Sequence, residues 1–317
     1  MKITEHISRA EKTMFSFEIL PPRKGENIKQ LFTAIDPLME FNPPFIDVTY
    51  HREEYVYKKQ ADDSLKRHTV RKRPGTVGIC AALINHYDID AVPHLICGGF
   101  NQEVTENALI DLDYLGIENV LVVRGDPMKG EKYFKPHKEG YAYAIDLLKQ
   151  VVEMNKGKYL HDDLMDATPT DFCIGVAGYP EKHFESPNLK SDLKFLKDKV
   201  KAGADYIVTQ MFFDNKKYFD FVKSLREKGI DLPVIPGIKP VSIKKHLSVL
   251  PQNFYIDLPE DLVNEILKCK DNKQVREVGI EWAIAQCKEL IDFGVPVLHF
   301  YSMGKTDNVY KIAKELF

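Results

Sequence analysis

No stretch of this 317-residue chain reaches the roughly 18 consecutive apolar residues that a membrane-spanning helix needs. The opening residues, MKITEHISRAEK, hold no apolar run of the secretory-signal kind. The expected compartment is therefore the cytoplasm, with no membrane partner. Neither sign of charge is in large excess. A formal net charge of −3 with 29% charged residues argues against a polyanion-binding surface, so no nucleic-acid partner is expected. Cysteines are few: Cys80, Cys97, Cys173, Cys269 and Cys287. Their number is odd and no pair has CxxC spacing, so buried free thiols are expected rather than a disulfide framework or a zinc knuckle. Neither HxH nor HExxH occurs, so no metal is expected. No GxGxxG follows a candidate strand and no GxxxxGK[ST] is present. Any dinucleotide would bind without a Rossmann or P-loop fingerprint. Internal repeats and low-complexity segments are also lacking.

What the chain has is a core: 44% of its residues are hydrophobic. Short apolar runs rich in β-branched and aromatic residues recur at 14–20, 45–50, 91–97, 119–125, 172–179, 206–212, 233–238 and 296–302. Helical periodicity lies between them, as in NIKQLFTAIDPLMEF and SDLKFLKDKVKAG, where Gly203 suits a C-cap. Eight strands alternating with helices, a last helix at 308–317 and no convincing linker favour one closed (β/α)8 TIM barrel, of class α/β, over an open doubly wound sheet. The expected domain is 1–317. Two places strain the count: a charged insert at about 51–75, and more helix between strands seven and eight than one crossover needs.

Active sites of such barrels form at the C-terminal ends of the strands. Polar residues stand there on seven of the eight strands: Glu18; Thr49 and Tyr50; His94; Arg124, Gly125 and Asp126; Tyr179 with Glu181 and His183 beyond it; Thr209 and Gln210; His299 and Tyr301. In MFSFEIL, Phe15, Phe17 and Ile19 should face the covering helices, leaving Ser16 and Glu18 inside the barrel. Burial disfavours an ionised carboxylate, so the pKa of Glu18 should rise towards the range of a general acid at neutral pH. A structural Glu paired with Arg or Lys is the other reading. The turn RGDP is by itself an ordinary strand-to-helix loop. His94 and His299 read more simply as core histidines than as ligands, and KRHTVRKR at 66–73 as solvated surface.

Seven strings in order over nearly the whole chain resemble the 5,10-methylenetetrahydrofolate reductase family: FSFEILPPR, VVRGDP, YAIDLL, FCIGVAGYPEKH, DYIVTQMFFD, PVIPGIKPV and LHFYSMGK. The length is similar to the short bacterial form, a catalytic barrel alone. The resemblance implies a flavoprotein with FAD at the strand C-termini. NADH or NADPH would reduce the flavin and leave, and 5,10-methylenetetrahydrofolate would take its place and be reduced to 5-methyltetrahydrofolate, a ping-pong sequence that feeds methionine biosynthesis. It implies that Glu18 is the general acid that helps open the folate's five-membered ring. Asp126 would tune flavin and pterin, and Gln210 and Tyr301 would contact substrate. Thr49, His94, Arg124, Gly125, Asp126, Tyr143, Ala144, Tyr179, His183, Asp192 and Lys199 would lie near FAD. A homo-oligomer is also implied. The chain departs from the family pattern at Lys305, Asp198, Leu250–Pro251 and the 51–75 insert. A flavin-free barrel lyase or aldolase with Glu18 and Asp126 as acid/base pair, and a non-catalytic binding protein, are the rival readings.

Overall fold

A computed structural model of the chain describes residues 1–317 apart from Lys129, Asp162, Asp163, Met303 and Lys305. In chain order the elements are α1 Ile3–Arg9, β1 Met14–Ile19, α2 Ile28–Ile35, β2 Phe45–Val48, β3 Glu54–Lys59, β4 Leu65–Val70, α3 Thr76–Tyr87, β5 Asp90–Ile96, α4 Gln102–Tyr114, β6 Asn119–Val123 and α5 Ala144–Met154. They continue with β7 Cys173–Gly178, α6 Leu189–Ala202, β8 Tyr206–Thr209, α7 Asn215–Arg226, β9 Val234–Ile235, β10 Gly237–Ile238, α8 His246–Phe254, α9 Glu260–Lys268, α10 Asn272–Phe293, β11 Val297–Tyr301 and α11 Asp307–Leu316.

Among the described residues nine parallel strand segments run in the order β10-β11-β1-β2-β5-β6-β7-β8-β9. The two end segments, β9 and β10, flank Pro236, which has no N–H to donate to a ladder. They are one strand in two pieces: β9 pairs with β8 and β10 with β11, and the eight-strand barrel closes across that break. The expected barrel is thus observed, with strand seven interrupted. The charged insert at 51–75 has structure of its own, which its sequence did not reveal. It holds an antiparallel hairpin, β3 with β4, whose turn places Asp63 at φ 64°. Its strands are largely exposed, so neither face carried the apolar alternation that reveals a strand.

Two apolar layers form. The alternation in β1 sends Phe15, Phe17 and Ile19 outward into the layer under the helices, where Phe15 meets Phe41, Phe300 and Phe317 with ring centroids 5.5–5.6 Å apart. Inside the barrel lie Phe45, Val92, Leu121, Tyr206, Val208, Ile235 and Val297, with Ile3 of α1 plugging the lower end. The Ile3 N–H donates to Asn119 Oδ1 at 2.8 Å. The surplus helix before β11 is explained by a third cluster: α8, α9 and α10 bury Leu250, Leu262, Ile266 and Val275 against Met211 and Phe213 at the barrel rim. Gly203 caps α6 in the left-handed region at φ 115°, as its position suggested. Cys80, Cys97, Cys173 and Cys287 are buried free thiols; Cys269 departs from that expectation, being half-buried at the end of α9.

Among the described residues no helix is long and apolar enough to cross a membrane, and no cluster of His, Cys, Asp and Glu could hold a metal ion.

Candidate active site

Barrel closure brings the strand ends together. Glu18, Thr49, His94, Arg124, Gly125, Asp126, Tyr179, His183, Gln210 and Tyr301 line one central cavity of about 540 Å3 at the mouth. Tyr143, Ala144, Asp192 and Lys199 line a lateral cavity of similar volume between the ends of β6 and β7. The two share Val123, Arg124, Ala177, Tyr179 and His183, so they adjoin along one wall of the barrel mouth. The residues that the family resemblance assigned to the site all line one or other cavity, whereas Glu181, Thr209 and His299 of the strand ends line neither. Lys305 lies outside the described residues; Asp198 lines the lateral cavity.

Glu18 sits one residue from the end of β1, opposite Asp47 of β2 and Tyr301 of β11 in the parallel ladders. Its side chain opens on the central cavity and is otherwise enclosed by protein. Burial raises its pKa to about 7; Asp47 adds to the rise, while His94 and Lys239 oppose it. Asp47 is buried and pairs through Oδ2 with His94 Nε2 at 3.1 Å. Lys239, also buried, donates to the Tyr301 carbonyl at 3.0 Å. The Tyr301 hydroxyl donates to the Thr209 carbonyl at 2.5 Å. Below this layer Ser16 Oγ and His299 Nδ1 are 2.8 Å apart, so His299 is a satisfied core histidine on that side. Asp126 is exposed at the rim. The carboxylate that raises the Glu18 pKa is Asp47, while Asp126 lines the same central cavity.

Gly125 holds the turn after β6 at φ 84°, and a Cβ there would lie 3.3 Å from that of Ile96. Only glycine reaches this conformation without strain. The Arg124 fork grips Glu185, with Nη2 donating to Oε1 at 3.0 Å and Nη1 to Oε2. In the lateral cavity Asp192 accepts from Ser186 Oγ at 2.6 Å and from the His183 N–H at 3.2 Å. Lys199 donates to the Ala177 carbonyl at 2.7 Å, and burial lowers its pKa to about 8. Burial lowers the His183 pKa and raises that of Tyr179, whose ring lies edge-on to His183 at 4.9 Å. Glu181, beyond Tyr179, is raised by burial to about 7 and accepts the Asp257 N–H at 3.0 Å, tying the β7 loop to the segment after α8.

Sequence reasoning missed Asp47, Lys239, Arg52, Glu185, Phe184 and Phe254. Asp47 carried the same signal as Glu18, a charge inside an apolar strand. Phe254, four residues after the unassigned Leu250, reaches the central cavity, while Leu250 is sunk in the rim cluster. Phe184 of the same wall stacks on Tyr255 at 4.4 Å.

A closed barrel with its polar groups and cavities gathered at the strand C-termini defines a (β/α)8 protein with a small-molecule site at its mouth. A family model described as "Methylenetetrahydrofolate reductase" matches residues 2–317, and the chain belongs to that family. It is 32% identical to Arabidopsis thaliana "Methylenetetrahydrofolate reductase (NADH) 1" over 96% of this chain and 49% of that one. Against Escherichia coli "5,10-methylenetetrahydrofolate reductase" it is 30% identical over 95% of this chain and 90% of the other. The chain thus spans about half the length of its plant relative and most of its bacterial one. A solved structure from Clostridium thermocellum, described as binding two copies of 5-methyl-5,6,7,8-tetrahydrofolic acid, shares the fold with a TM-score of 0.58. It is 15% identical and the match covers 99% of this chain and 98% of that one.

Proposed function

We propose that this chain is one catalytic barrel that reduces 5,10-methylenetetrahydrofolate to 5-methyltetrahydrofolate in the cytoplasm, with NADH or NADPH as reductant and FAD as resident cofactor. The observation that carries the reading is Glu18: a carboxyl held near neutral pKa inside the mouth of a barrel of this family.

The adjoining cavities suit a flavin dinucleotide in their donor chemistry. Lys199 supplies a cation for a diphosphate, Asp192 supplies an acceptor for sugar hydroxyls, Arg124 held by Glu185 walls both cavities, and the central cavity supplies room for a flat ring. Tyr143, Ala144, Tyr179 and His183 would wall it, with Thr49, His94, Gly125 and Asp126 beside the ring. Bound FAD supplies the hydride chemistry, accepting from the reduced nicotinamide and delivering to the folate's one-carbon bridge. The protein's share is proton supply and placement. Glu18 holds a proton at neutral pH and donates it to the folate nitrogen released when the five-membered ring opens. Gln210, whose Oε1 accepts the Met211 N–H at 2.9 Å, is fixed with its amide donors free to meet the pterin. Tyr301, anchored on Thr209, shapes the wall next to Glu18.

The purified protein should be yellow, and NADH or NADPH should bleach it anaerobically. Methylenetetrahydrofolate should then restore the colour. Protein reconstituted with FAD that neither dinucleotide bleaches would end this reading. The charges around Glu18 give a second test with a sign. The folate half-reaction needs the protonated acid, so its rate should fall as pH rises through about 7. Asp47→Asn should move that limb to lower pH and Lys239→Met to higher pH, read from single-turnover pH profiles. Shifts of the same sign would show that these charges do not set the proton affinity.

A further inference from the structure

Arg52, between β2 and β3, lines the central cavity with a guanidinium that the protein itself leaves unmatched. Its Nε and Nη1 are buried and have no hydrogen-bond partner. The group rests against Gly98, where a Cβ would stand 3.1 Å from Nη1, and 5.8 Å from the centroid of the Phe134 ring. Arg124 lies over the same ring at 5.0 Å, but its fork is taken by Glu185. The sequence neighbours of Arg52, Glu53 and Glu54, border the same cavity, and Glu54 is paired with Lys72 at 2.5 Å. The buried Tyr50 hydroxyl, also on this wall, is likewise without a partner. Each unpaired buried N–H of a charged group costs the folded state its full desolvation penalty. A protein that keeps one in a cavity wall, packed in place on a glycine, is set up for an external acceptor.

We propose that Arg52 is the oxyanion-binding residue of the central cavity and takes a phosphate or carboxylate of the substrate exchanged there. A guanidinium fork matches both groups and prefers them to neutral acceptors. Lys199, in the lateral cavity, is the cation placed for the diphosphate of the resident cofactor, which leaves Arg52 of the central cavity to the molecules that come and go. Two sources carry the right chemistry: the phosphates of the reduced dinucleotide and the carboxylates of the folate's glutamate. The inference rests on the function proposed above.

The test uses flavin-loaded wild-type protein, Arg52→Gln and Arg52→Lys. Inorganic phosphate at constant ionic strength should raise the melting temperature of the wild type and not of Arg52→Gln. This readout needs no catalysis and survives even if the folate reading fails. In the half-reactions, Arg52→Gln should weaken one substrate at least tenfold, with Arg52→Lys in between. Loss confined to NADH or NADPH assigns the phosphate; loss confined to folate assigns the carboxylate. An unchanged phosphate response in Arg52→Gln, unchanged affinity for both substrates, or a loss of FAD content alone would overturn the proposal. Wild-type protein that binds phosphate through Arg52 but turns over no folate would keep the site and discard the function.

Discussion

Glu18→Gln should leave anaerobic bleaching of the flavin by NADH or NADPH unchanged and slow the folate half-reaction by about 10²–10⁴-fold, the usual worth of a positioned general acid. Glutamine keeps the shape and hydrogen-bonding reach of the side chain but has no proton to give. The same variant carries a stability signature. In the folded chain the Glu18 pKa is raised from 4.5 to about 7, so the neutral form is the one the fold prefers. The stability this group contributes is full below pH 4.5 and is lost as pH rises through 7. Glutamine does not titrate. Denaturant unfolding should therefore show the variant gaining on the wild type between pH 5 and pH 8, by at most about 3 kcal/mol because the carboxyl keeps an opening to the cavity. A variant that turns over methylenetetrahydrofolate at the wild-type rate would remove Glu18 from the acid role. A stability difference that does not change with pH would remove the raised pKa.

The second large effect is expected at Gly237→Ala. A Cβ at Gly237 would stand 2.4 Å from the Thr209 carbonyl oxygen and 2.5 Å from the Tyr301 hydroxyl, well inside contact distance. That oxygen and that hydroxyl are hydrogen-bonded to each other, and the Gly237 N–H is itself donated to Thr209 Oγ1 at 3.0 Å. One methyl group would thus press on the bonds joining β8, β10 and β11 at the point where the barrel closes. Overpacking of this kind costs about 1–3 kcal/mol, and lost bonds add to it. Urea unfolding should show a loss of about 2–4 kcal/mol, and folate reduction should fall because Tyr301 leaves its place beside Glu18. An unchanged unfolding midpoint would mean that the wall yields without cost and that Gly237 is not what lets Tyr301 reach Thr209.

Much of the architecture was legible because burial imposes period. Alternating Phe15, Phe17 and Ile19 told which way Glu18 points before any strand had a partner. The strands are nearly continuous apolar runs because both of their faces are covered. The hairpin at 54–70 escaped because its residues cover no core and so leave no period to read. The break at Pro236 could be read as a proline, but its consequence, two short segments each serving a different neighbour, depends on where β8 and β11 lie.

The amino-acid order alone determined the strand and helix alternation, the inward direction of Glu18, and the polar residues that each strand presents at its C-terminal end. Those follow from local chemistry, since periodicity, proline and glycine act within a few residues. Only the closed barrel decided that Asp47 and Lys239 flank Glu18, that Arg124 is held by Glu185 while Arg52 Nε and Nη1 have no hydrogen-bond partner, and that the central and lateral cavities adjoin. Those partners are far apart along the chain. Charge pairing and proton affinity depend on distance in space and on exclusion of water, and neither exists until the sheet has closed.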